Sequence, residues 1–297
     1  MTSPLSLGFS PCPNDTFIFH ALVHGLVAEA PEFAPVLLED VETLNRWALS
    51  AKLDVSKLSF HALGHVLDHY VLLRAGAALG RGCGPLLVAR SKLDPAELAG
   101  RRVAIPGRYT TAAMLLGLFA PACLRDRAGA GEAAATGNLQ VMRFDRIMPA
   151  LVRGEIDAGV IIHESRFTYR DHGLVLLADL GTWWEEISGL PIPLGGIVAR
   201  RSLGGAKLAA IEAAIRASLE RARENPAGAM AYIRRHAGEL DEGVLRAHIE
   251  LYVNRFSLDL GEEGERAVTE FLSRGRAAGI LPAAGAEQAV LTAAAGA

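Results

Sequence analysis

Ala158-Gly159-Val160-Ile161-Ile162-His163-Glu164 is an apolar run that stops on a histidine. A short continuous run of this kind predicts a strand over 157–162, buried on both faces as in a helix-covered parallel sheet. Ligands of open α/β sheets gather beyond the carboxyl ends of the strands, so such a strand delivers His163 to a crevice. An unperturbed imidazole titrates near pH ~6.5, which suits His163 to taking or giving a proton close to neutrality. A hydrogen-bonded structural histidine at a strand end is the plainer reading of the same position. Neighbours on a strand face opposite sides, so Glu164 is expected to make a structural contact elsewhere.

Working outward, strand and helix patterns alternate, which favours an α/β architecture over bundles or sandwiches. Toward the N-terminus the pattern predicts strands over 5–9, 33–38 and 54–59, and helices over 16–23, 40–49 and 61–70. The glycine-rich Arg81-Gly82-Cys83-Gly84-Pro85 lacks the Lys-Ser/Thr of a phosphate loop and the spacing of a dinucleotide fingerprint, and reads as a turn before a strand over 86–89. A second block follows, with strands over 102–106, 140–144 and 157–162, helices over 111–119 and 145–153, and an ordered segment over 174–180. Residues 125–137, rich in Gly and Ala, read as a surface loop dispensable for chemistry. Residues 191–199 look like the crossover back, and helical spacing dominates over 207–224, 226–236, 241–253 and 262–278. The expected division is a larger α/β lobe from 1–92 plus 197–297, with the C-terminal helices, and a smaller lobe, 93–196, carrying His163. A clam-like molecule with a ligand between the lobes follows.

Composition narrows the function classes. The 297 residues are 51% hydrophobic and 21% charged, with a formal net charge of −3. That gives ample core, no basic field for nucleic acid and no apolar stretch of membrane length. The first residues carry no positive charge and no apolar core, so no secretory signal is read and the cytoplasm is the expected compartment. Cys12, Cys83 and Cys123 are widely spaced, which suggests neither a disulfide framework nor a zinc site, and inert packing is expected of Cys12 and Cys83. His61 and His65 stand four apart on a helical face without a third ligand, so no metal is expected. Trp183-Trp184 could wall a pocket or anchor a loop. Nothing in the sequence sets an oligomeric state.

Three strand-to-helix junctions could join His163 at a crevice. Pro106-Gly107-Arg108-Tyr109-Thr110-Thr111-Ala112 follows a strand and opens a helix, so unsatisfied amides and the hydroxyls of Thr110 and Thr111 would face a ligand carboxylate. An ordinary Thr N-cap is the competing reading. Ser10-Pro11-Cys12-Pro13-Asn14-Asp15-Thr16 is stiffened by two prolines, with Asn14 and Asp15 able to cap or to face a ligand. Lys57-Leu58-Ser59 ends a third strand, with an ammonium and a hydroxyl on one side of the sheet.

Taken together, residues 7–17, 106–111, 159–164 and 190–196 closely resemble the 1,4-dihydroxy-6-naphthoate synthase family of the futalosine route to menaquinone. The resemblance runs from about Leu5 to Ala278 and is weakest over 125–137 and in the Ala-rich tail. It implies a two-lobed fold like the type II periplasmic binding proteins, with a ligand cleft between lobes, used for catalysis. It also implies a lyase step without metal or organic cofactor, in which cyclic dehypoxanthine futalosine, a small carboxylic acid, gives 1,4-dihydroxy-6-naphthoate and dihydroxyacetone. By residue match, His163 falls on the proton acceptor, and Lys57-Leu58-Ser59 and Thr110-Thr111-Ala112 fall on substrate-binding segments. A chorismate dehydratase-like enzyme of the same pathway and a clamshell solute-binding protein share the architecture and are the alternatives.

Overall fold

The structure is a computed structural model that describes residues 3–123, 139–238, 241–283 and 289–291. The expected loop over 125–137 lies outside the described residues.

The chain begins with β1 (Leu5–Phe9), α1 (Pro13–Val23), β2 (Phe33–Leu38), α2 (Val41–Leu49), β3 (Val55–Ser59), α3 (Phe60–Val66), β4 (Tyr70–Leu72) and β5 (Ala78–Gly80). It continues with β6 (Leu86–Ala89), β7 (Val103–Ile105), α4 (Thr111–Phe119), β8 (Leu139–Val141), α5 (Phe144–Arg153), β9 (Ala158–Ile161), α6 (Ser165–Thr168), β10 (Val175–Asp179) and α7 (Leu180–Ser188). It returns through β11 (Ile192–Arg200) to α8 (Gly205–Glu224), α9 (Pro226–His236), α10 (Glu242–Tyr252), α11 (Arg255–Leu258) and α12 (Gly261–Ala277).

Two sheets result. The first has the order β2-β1-β3-β11-β4, with β5 also on β11; β1, β2 and β3 run parallel, and β11 is antiparallel to its neighbours. The second has the order β10-β6-β9-β7-β8, with β7, β8 and β9 parallel. Each sheet thus has a parallel side fed by helical crossovers and an antiparallel side, which is how two crossings between the sheets are accommodated. The chain changes sheet between β5 and β6 and again between β10 and β11.

Those changeovers correct parts of the sequence reading. Leu86–Ala89, assigned there to the 1–92 segment, pairs with β9 and β10 of the second sheet. The expected crossover 191–199 is itself a nine-residue strand of the first sheet. The expected helix 61–70 stops at Val66, because Tyr70–Leu72 leaves to pair with β11.

Packing follows the amphipathic pattern. On α8, Leu208, Ile211, Ile215 and Leu219 recur at helical spacing, are buried, and join the cluster that holds Phe17, Ile18 and Phe19 of α1. The Ser218 hydroxyl donates to Ile18 O at 2.6 Å and accepts from Leu22 N at 3.0 Å, tying the two helices. A second cluster runs between the sheets, from Leu58, Phe60 and Leu72 through Leu115 to Leu87, Val103 and Val160, closed by Phe271 of α12. The two sheets therefore share apolar packing, and the cavity described next opens beside it.

Candidate active site

β9 ends at Ile161, and His163 sits two residues later in a turn with φ of 58°. A non-glycine residue in the left-handed region costs about 1–2 kcal/mol, which places a histidine there against local preference. Glu164 occupies the N-cap position of α6, so neither residue lies on the strand and the opposite-face argument for Glu164 does not apply. The imidazole packs edge-on against Phe144, with centroids 4.9 Å apart, and its Nδ1 lies 3.5 Å from Cys12 Sγ. Burial lowers its pKa, opposed by the charges of Glu164 and Asp15, so the ring is neutral at neutral pH.

His163 lines a cavity between the two sheets. Asn14, Lys57, Leu58, Ser59, Thr110, Thr111 and Ala112 line the same cavity, so the structure brings together His163 and the residues of the three strand-to-helix junctions named as its partners. Their roles in the wall differ from expectation in three places.

The Thr110 and Thr111 hydroxyls are not free. Thr110 Oγ1 donates to Gly107 O at 2.8 Å and caps α4 by accepting from Ala113 N at 3.2 Å. Thr111 Oγ1 donates to Leu194 O at 2.6 Å and accepts from Phe60 N at 3.1 Å. What remains for a ligand are the Thr111 and Ala112 amides, which have no acceptor among the described residues, at the positive end of the helix macrodipole.

Lys57 is not a free ammonium. Its Nζ donates to Asp15 Oδ1 at 2.6 Å, with both side chains almost wholly buried. Asp15 Oδ2 also accepts from Ser10 N and Oγ at 3.2 and 2.6 Å, so the carboxylate is saturated.

Asn14 makes no helix cap; α1 starts instead with Pro13 at its first position. The Asn14 amide donates to Asp15 Oδ1 at 2.8 Å, which leaves its oxygen to accept from His248 Nε2 at 2.9 Å. That contact fixes His248 as the Nε2–H tautomer, and burial holds its pKa well below the ordinary value, so it is neutral. A buried relay Lys57–Asp15–Asn14–His248 results.

Sequence reasoning missed His248 and Tyr252, which also line the cavity. The His248 ring lies nearly parallel to His163 with centroids 6.2 Å apart, and against Tyr252 at 4.6 Å. The available signal was their spacing: Leu245, His248 and Tyr252 form the buried stripe of α10. Only the fold shows which cavity that stripe reaches.

The cysteines divide. Cys12, expected to be inert, stands next to His163, yet burial first and then the Glu164 charge push its thiol far up, so it remains protonated. Cys83 lines the cavity and is pushed up to about 12 by burial. Trp184 is fully buried, donates to Pro191 O at 3.2 Å and packs on Phe271, and Trp183 packs on Phe119; neither lines the cavity. His61 Nδ1 donates to Thr110 O at 3.1 Å, and among the described residues no group of His, Cys, Asp and Glu has the makings of a metal site.

A neutral imidazole, two amides without an acceptor among the described residues and a walled cavity are the parts that proton transfer on a bound carboxylic acid would require. The family model described as menaquinone biosynthesis matches residues 5–277. The 1,4-dihydroxy-6-naphthoate synthase of Thermus thermophilus is 53% identical over 277 residues, covering 93% of this chain and 95% of that protein. The chain belongs to this family of lyases. The Streptomyces coelicolor protein of the same name is 47% identical, covering 95% of this chain and 96% of its own length. Among solved structures, a protein of Archaeoglobus fulgidus superposes with a TM-score of 0.83 at 36% identity, covering 94% of this chain and 98% of its own. The periplasmic aliphatic sulphonate binding protein SsuA of Escherichia coli superposes at 0.64 with 15% identity, covering 98% and 93%, which shows that the fold is that of the periplasmic binding proteins, two lobes around a cleft.

Proposed function

We propose that this chain splits cyclic dehypoxanthine futalosine into 1,4-dihydroxy-6-naphthoate and dihydroxyacetone, with His163 as the proton acceptor. The observation that carries the proposal is the shared cavity: the imidazole of His163 and the two open amides of α4 line one concavity. The substrate carboxylate docks on Thr111 N and Ala112 N, where two amide donors and the helix dipole favour an anion. His163 Nδ1 faces Cys12 Sγ, which leaves Nε2 as the nitrogen directed at the ligand. Nε2 takes an acidic proton from the oxidised ring system, the carbon–carbon bond to the sugar-derived fragment breaks with its electron pair leaving on the fragment, and the fragment takes that proton back from the imidazolium and departs as dihydroxyacetone. Aromatisation of the naphthoate draws the step forward. A single positioned base supplies ~10²–10⁴-fold, so orientation and exclusion of water between the lobes supply much of the rest.

As parts of the same proposal, the lobes follow the sheets, and the protein works in the cytoplasm as a small-molecule enzyme. Three free cysteines suit a reducing compartment, and the net charge of −3 offers nothing to a nucleic-acid backbone. Among the described residues no helix is long and apolar enough to cross a membrane.

The test is to incubate the purified protein separately with the cyclic futalosine derivative and with chorismate. The proposal expects the first to be consumed with appearance of naphthoate fluorescence, and expects His163→Ala to lose product formation at least ~10²-fold while still binding substrate. Consumption of chorismate instead, or substantial turnover by His163→Ala, would refute it.

A further inference from the structure

Two ligand-facing segments of the cavity come from different sheets: Ser59 ends β3 of the first, and Gly107 to Ala112 follow β7 of the second. One turn of α2 holds both. Asn45, fully buried, accepts from Ser59 N at 2.9 Å and donates to Ser59 Oγ at 3.1 Å. Glu42, three residues earlier on the same helix face, is 7% exposed, and its carboxylate crosses to the other lobe. Its Oε1 accepts from Arg108 N at 2.8 Å and its Oε2 from Tyr109 N at 3.1 Å, with Asn45 Nδ2 completing Oε2 at 3.4 Å. Gly107 is shaped to this contact, since a Cβ there would lie 2.4 Å from Glu42 Oε2.

Burying a carboxylate is costly unless its lone pairs are filled, and apolar packing would close this gap at lower cost. The arrangement gives what packing does not: a fixed, directional bond between lobes, immediately before the amides that face the ligand. We infer that Glu42 is a positioning residue, which with Asn45 sets the spacing between the Ser59 segment and the start of α4 and holds the cleft in its ligand-gripping geometry. The inference rests on the proposed docking at Thr111 and Ala112. It makes ligand affinity depend on a bond the ligand never touches, because only the latched fraction of molecules binds tightly.

Glu42→Gln keeps the shape but sets an amide nitrogen against one of the two backbone donors. The expected result is a KM for cyclic dehypoxanthine futalosine raised about tenfold or more, from the loss of a charge-assisted bond, with kcat lowered far less because saturating ligand restores closure. Gly107→Ala attacks the same contact from the other lobe and should give the same split, which keeps the inference testable if Glu42→Gln fails to fold. Small-angle scattering of the ligand-free proteins should show both variants more expanded than wild type. A purely structural role predicts instead a lower Tm and fewer active molecules at unchanged KM and unchanged radius, and that pattern would overturn the inference. A wild-type protein that leaves the cyclic substrate untouched refutes the functional reading alone; the latch then stands or falls on the scattering comparison.

Discussion

His163 combines features that local preference would not produce together: left-handed backbone, a half-buried imidazole and a thiol neighbour. Its lowered pKa means that the acid limb of kcat/KM should fall below pH 6.5, with a plateau above it, since the neutral ring is the acting form. A limb centred above 6.5 would contradict the assignment. Stability carries the same sign. In the unfolded chain imidazoles protonate near ~6.5, whereas in the folded protein His163 and His248 both resist protonation. Below 6.5 the unfolded state therefore binds more protons, so Tm should drop between pH 7.5 and 5.5, and His248→Asn should flatten that drop. A Tm that rises on acidification would count against two buried neutral rings. The Lys57–Asp15 pair gives a further expectation: Lys57→Met strands a buried carboxylate, at about 3–5 kcal/mol in urea unfolding. At this scale the sequence disclosed which residues line the cavity but not what occupies their polar atoms. Lys57, Thr110 and Thr111 were legible as cavity residues; Gly107 takes the Thr110 hydroxyl locally, but that Asp15 takes the Lys57 ammonium and that Phe60 and Leu194 take the Thr111 hydroxyl depends on chain segments far apart in sequence.

Elements were legible where a local signal ends them. The strands over 33–38 and 86–89 and the helix over 111–119 have the bounds that periodicity and the Thr110 cap predict. Reading failed where pairing overrides propensity: the helical pattern runs to Tyr70, yet β11 offers Tyr70 to Leu72 a hydrogen-bonding edge. β11 itself resembled a connection because it carries Pro193, Gly195 and Gly196. Gly195 is required by close approach, since a Cβ there would lie 2.8 Å from the backbone oxygen of Leu58, and one at Gly196 would press on Leu72 Cδ1 at 2.4 Å. The start of α4 is fastened to this strand through Thr111, whose hydroxyl serves Phe60 N and Leu194 O together. Thr111→Val keeps the volume and leaves a buried donor and acceptor unpaired. Chemical unfolding should register a loss of about 1–3 kcal/mol, and a variant as stable as wild type would show that the bridge is dispensable.

On the scale of the whole molecule, alternating strand and helix signals announced an α/β protein, and the clam-like arrangement followed from a middle block bracketed by two others. The sheet changeovers were hidden, because β6 and β11 are antiparallel strands whose partners no local pattern names. His248 reaches the cavity only because α10 folds back over the start of α1, where Asn14 meets it. The cavity is thus assembled from both sheets and a C-terminal helix, with the open amides of α4 on one wall and His163 on another. A crystal structure of the complex with 1,4-dihydroxy-6-naphthoate measures that arrangement directly. The account predicts carboxylate oxygens about 3 Å from Thr111 N and Ala112 N, with the naphthalene ring beside His163 Nε2. A carboxylate held elsewhere, or a ring out of reach of that imidazole, would contradict it.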